Sequence, residues 1–71
     1  IPNDVYVFSS KLVINDDRMP MKDISEIVQL GREGKKHIVL RVKFNDGKEF
    51  IFPATDKVYS RLNMNVGISK I

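Results

Sequence analysis

Ile38-Val39-Leu40-Arg41-Val42-Lys43-Phe44, then Asn45-Asp46-Gly47, then Glu49-Phe50-Ile51-Phe52 is the stretch on which the fold turns. Ile38, Leu40, Val42 and Phe44 alternate with Val39, Arg41 and Lys43. Period-two alternation of this kind predicts a half-buried antiparallel strand. Asn45-Asp46-Gly47 then turns the chain back. A two-residue turn at Asp46-Gly47 would set Phe44 opposite Glu49 and put Phe50 and Phe52 on the face of Arg41 and Lys43. A three-residue loop slips the pairing by one and puts Phe50 and Phe52 on the face of Leu40, Val42 and Phe44. One slip moves a whole apolar set between faces, so the second register is expected. Gly47 supplies the left-handed residue that such a loop requires. The expected core is Leu40, Val42, Phe44, Phe50 and Phe52, closed by Leu62.

Working outward, Pro53 ends the second strand or places it at a sheet edge. Thr55 or Asp56 is a plausible helix N-cap, and Val58, Tyr59 and Leu62 share one face of the short helix that follows. Val66-Gly67-Ile68 reads as extended. In the other direction, Gly31-Arg32-Glu33-Gly34-Lys35-Lys36 reads as a polar loop. Met19–Leu30 is ambiguous, because Ile24, Ile27 and Val28 have helical spacing and Gly31 suits a helix end. The absence of a capping residue before Pro20 and the β-prone Ile27-Val28 pair favour another reading: an extended Met19–Met21, a turn near Lys22-Asp23 and a strand from Ile24 to Leu30. Val5-Tyr6-Val7-Phe8 and Leu12-Val13-Ile14 are strand-forming, either as one bent strand or as a short hairpin. Asn15-Asp16-Asp17 is a turn.

Seventy-one residues make one domain. The apolar fraction of 42% excludes a long disordered chain. There is no cysteine, which removes disulfides, thiolate nucleophiles and Cys-based metal sites and fits a reducing, cytoplasmic setting. No apolar run reaches the ~18–20 residues of a membrane span. The Ile1-Pro2 start reads as a cut end, so the domain is expected to be excised from a longer protein. The net charge of +3 permits anionic partners without demanding them.

Catalytic machinery is hard to assemble. His37 is the sole histidine and, after two lysines at a strand start, reads as a surface residue. Asp16-Asp17 lacks the further oxygen ligands of a calcium loop and reads as a turn. Gly31 and Gly34 lack the Gly-Lys-Ser/Thr of a phosphate loop. Met19 and Met21 read as core filler, and the four Phe and two Tyr lie in apolar runs where packing explains them, which leaves no exposed aromatics to stack bases. The one cluster with ligand-binding potential is basic: Arg32, Lys35 and Lys36 in a loop, with Arg41 and Lys43 on the outer face of the next strand. Together they could hold a phosphate or an anionic surface. The competing reading is a solvated loop beside a solvated strand face, with Glu33 diluting the charge.

Lys11-Leu12-Val13-Ile14 and Met19-Pro20-Met21-Lys22-Asp23-Ile24-Ser25-Glu26-Ile27 resemble the pleckstrin-homology-like superfold, as in its GRAM and bacterial members. An apolar strand there precedes an Ile-Pro-x-x-Asp-Ile-x-x-Ile stretch, matched by Pro20, Asp23, Ile24 and Ile27, with Met19 in the first place. The resemblance spans about residues 5–62. It implies a bent antiparallel sheet or partly open barrel closed by a C-terminal helix, and members that bind phosphoinositides, peptides or proteins. This chain is shorter, and it offers only Lys11 where lipid-binding members carry basic residues in the first hairpin loop. The expectation is therefore an α+β, mostly antiparallel domain without cofactor or enzymatic activity, an adaptor that binds a protein partner. An anionic membrane surface or self-association through an open strand edge is the alternative, and nucleic acid is not expected.

Overall fold

The computed structural model describes residues 4–34 and 37–70, apart from the side chain of Glu33. Strands β1 (Val5–Val7), β2 (Lys11–Ile14) and β3 (Asp17–Pro20) form one sheet in that order. A 3-10 turn over Met21–Asp23 leads into β4 (Ile24–Glu33), β5 (His37–Phe44) and β6 (Glu49–Ala54). Helix α1 (Asp56–Asn65) and the short β7 (Ser69–Lys70) complete the chain. The second sheet runs β6-β5-β4-β7, antiparallel except where β7 lies parallel to β4. The two sheets share one core and do not close into a barrel, so the fold is α+β and mostly antiparallel.

The β5–β6 hairpin takes the three-residue register. Val42 faces Phe50, Leu40 faces Phe52, and the Phe44 amide donates to the Lys48 carbonyl at 2.8 Å. Gly47 adopts φ 94°, the left-handed conformation that the loop needs. Leu40, Val42, Phe44, Phe52 and Leu62 are buried as expected. Phe50 is not: it is half-buried and stands edge-on to Phe44, with ring centroids 5.9 Å apart and planes at 84°. The hairpin lies at the sheet margin, so a residue on the correct face still meets solvent at its outer side.

Met19–Leu30 resolves as expected, with Pro20 ending β3, a turn at Met21–Asp23 and strand from Ile24. Its helix-like spacing has a physical cause. The pairing shifts between Ile24↔Phe44 and Glu26↔Lys43, a bulge that lets Ile24 and Ile27 both enter the core although three residues apart. A second shift between Gln29 and Gly31 leaves Leu30 exposed.

One expectation fails in this region. Gly31–Glu33 are not loop but the end of β4, with Gly31 facing Val39 and Arg32 facing Ile38. The polar composition marks where the strand outruns the core, not where pairing stops. At the amino end, the hairpin alternative holds, since Val5, Tyr6 and Val7 pair with Ile14, Val13 and Leu12. Asn15 takes φ 53° in the turn that follows.

Thr55 caps α1, its hydroxyl oxygen accepting from the Val58 amide at 3.3 Å. At the far end the amides of Val66 and Gly67 both reach the Leu62 carbonyl, and Gly67 turns the chain out with φ 96°. Leu62 enters the core, with Val58 and Tyr59 packed partly against it.

Candidate functional site

Of the basic residues singled out in the sequence, the described ones, Arg32, Arg41 and Lys43, are not all on one face. Lys35 and Lys36 lie outside the described residues. Arg32 is exposed opposite Ile38, whereas Lys43 lies five residues further along β5, about 17 Å away. Directly paired residues share a face, so Arg32 points to the side of Ile38 and Lys43 to the other. Arg41 and Lys43 do share the outer face, yet Arg41 is committed. Its Nη2 lies 3.5 Å from Glu26 Oε1 and its Nε 3.7 Å from Glu49 Oε1. The Nε–Glu49 distance is too long for a hydrogen bond, so it is an ion pair alone. Two carboxylates beside one guanidinium weaken its attraction for an anion.

A more open site lies elsewhere, between β1 and α1. Val5 and Val7 form one wall, and Val58, Lys57 and Arg61 form the other. The depression encloses about 310 Å³. Tyr6 and Phe8 stand at its rim, 55% and 48% exposed. This corrects the expectation that every aromatic residue would be packed away. In Val5-Tyr6-Val7-Phe8 the valines face the core and the aromatics face outward, and because all four are apolar the period is invisible in the sequence. Phe8 and Arg61 also border a second depression, continued by Met64, which is 86% exposed. Lys57 and Arg61 are four residues apart, so they project from one flank of the helix. Lys11 Nζ sits 5.2 Å from the Phe8 ring centroid, a cation–π contact. Among the described residues, no carboxylate lines either depression.

The backbone of β1 contributes too. The Phe8 amide donates to Lys11 O at 3.0 Å and the Asn15 amide to Asp4 O at 2.7 Å. These bonds put residues 4, 6 and 8 in register with β2, so the amide and carbonyl of Val5 and Val7 point away from the sheet. The Val7 carbonyl confirms the direction, because Arg61 Nη1 donates to it from the helix at 3.2 Å.

Among the described residues, no group of three or more His, Asp or Glu side chains could hold a metal ion, and no helix is long and apolar enough to cross a membrane. No known protein family, curated protein or solved structure matches this chain.

Proposed function

We propose that this chain is a non-enzymatic binding module of pleckstrin-homology-like type whose ligand is another protein, held on the face formed by β1 and α1. The observation that carries this reading is the groove itself: an apolar depression beside an unpaired strand edge, rimmed by exposed Tyr6 and Phe8, with exposed Met64 on the second depression that shares Phe8 and Arg61. Large apolar side chains clustered at the surface cost solvation unless a partner covers them. Aromatic residues with a neighbouring Arg are the residue types that dominate protein interfaces. The order of elements, two antiparallel sheets followed by a helix that packs between them, supports the family resemblance.

The rival reading, an anionic membrane held by the basic loop, draws less support, because Arg41 is paired with Glu26 and Glu49 and Arg32 faces away from Lys43. Selection from an unbiased displayed peptide library, run beside sedimentation with phosphatidylserine–phosphatidylcholine vesicles, tests the proposal. The expected result is enriched peptides that bind the wild type and are lost by the surface variant Phe8→Ser with Met64→Ser, and little sedimentation. Absence of enriched peptides, enrichment indifferent to that variant, or strong, salt-sensitive sedimentation abolished by Lys35→Glu with Lys36→Glu would overturn it.

A further inference from the structure

Among the described residues, β1, β3 and β6 are edge strands of three residues or more, and on the remaining side of the second sheet β7 pairs with β4 at Val28 and Gln29 alone. The Met21 amide donates to Ser10 O, which fixes the β2–β3 phase and turns the backbone groups of Arg18 and Pro20 outward. The Phe44–Lys48 bond does the same for β6, turning Glu49, Ile51 and Pro53 outward. A proline therefore occupies an outward position on both β3 and β6. It removes a donor there without breaking a ladder bond, a common protection against unwanted strand pairing. The β1 margin carries no proline. Both its outward positions are valine, and among the described residues the hydrogen bond that reaches its outward backbone groups is the one from Arg61 to the Val7 carbonyl.

We propose that β1 is a docking edge that takes an extended, acidic peptide segment of a partner protein as an added strand, with Lys57 and Arg61 reading its carboxylates. This rests on the protein-binding reading above and names the partner's chemistry. The amide and carbonyl of Val5 and the amide of Val7 offer three backbone bonds to a strand laid along them. Alternate side chains of that strand would enter the depression between Val5 and Val58. Lys57 and Arg61 flank the same depression with no carboxylate among its lining residues, so the site selects negative charge. Arg61 donates through Nη1 to the Val7 carbonyl, and a guanidinium has further N–H groups able to meet a carboxylate. The acidic residues nearest in sequence, Asp4 and Asp56, do not line the depression.

The test uses the synthetic hexapeptide acetyl-Glu-Val-Glu-Ile-Asp-Val-amide and its counterpart with Lys at every acidic position. Titration into isotope-labelled protein should give saturable shifts at the Val5 and Val7 amides with the acidic peptide only, weakening as salt rises. Lys57→Glu with Arg61→Glu should weaken the acidic peptide about tenfold or more and favour the basic one. Val5→Pro, which removes the outward amide and no ladder bond, should abolish binding, whereas Val5→Ala should retain it. Should Val5→Pro lose its folded spectrum, the charge-reversal pair decides. Equal binding of both peptides, no binding of the acidic one, or undiminished binding by a folded Val5→Pro would overturn the inference. The library selection still reports separately on whether the groove binds peptides at all.

Discussion

Phe52→Ala and Phe50→Ala should differ by more than their identical chemistry suggests. Phe52 is 1% exposed, faces Leu40 across the hairpin and lies within the common core. Truncation there removes a fully buried ring and leaves a cavity that the surrounding sheet cannot collapse, a loss of about 3–5 kcal/mol. Phe50, two residues earlier, is half-buried and leans edge-on against Phe44. Its removal forfeits part of the burial and one aromatic pair, roughly 2 kcal/mol. At about 0.05–0.15 kcal/mol per residue a domain of this size has roughly 4–10 kcal/mol in all. The first substitution therefore brings the protein close to unfolding, while the second leaves it folded. Urea unfolding followed by circular dichroism reads the difference. With a slope near 1 kcal/mol per molar for so small a domain, the midpoints of the two variants should lie roughly 1–3 M apart. A Phe50→Ala loss equal to or greater than that of Phe52→Ala would refute the assignment of which ring fills the core.

Thr55→Ala removes the acceptor for the Val58 amide and should cost about 1 kcal/mol, read as a lower Tm, with Thr55→Asp restoring most of it. Gly47→Ala meets no atom within 4 Å, so its cost is backbone strain alone at φ 94°. About 1 kcal/mol is expected from urea midpoints, and Gly47→Asn should lose less because Asn tolerates the left-handed region.

The β5–β6 hairpin was legible because its outer face carries Arg41, Lys43 and Glu49, so the alternation shows in the residue types. Its register was legible because the three-residue loop is the one that unites the apolar faces, and Gly47 accommodates the left-handed residue which that loop needs. Strand β4 was harder, since each bulge shifts the period and Ile24, Ile27 and Val28 then mimic a helix. Val28 is buried although it faces Arg41 on the outer side, which alternation alone would not assign. The groove was invisible for a different reason. Tyr6 and Phe8 belong to a run that is apolar throughout, and Lys57 and Arg61 stand some fifty residues away in sequence. Only the docking of α1 beside β1 brings them together. Within the basic cluster, the separation of Arg32 from Lys43 was not legible, because it depends on which β5 residue Arg32 faces, and that is set by the bulges of β4.

Each sheet is almost wholly a meander whose neighbouring strands follow one another in the chain, so nearly every pairing closes a short loop. The exceptions all involve the carboxyl-terminal segment: Val28 against Ser69, Tyr59 Oη donating to Gln29 Oε1 across 30 residues, and Arg61 to Val7 across 54. Short loops close quickly and at small entropic cost, whereas distant contacts must wait for both ends to be in place. The short loops predict that the two meanders form first and that α1, bonded to Val7 in one sheet and to Gln29 in the other, docks late as a seam between them. The same seam forms one wall of the groove, so the groove is expected to be complete only once α1 has docked.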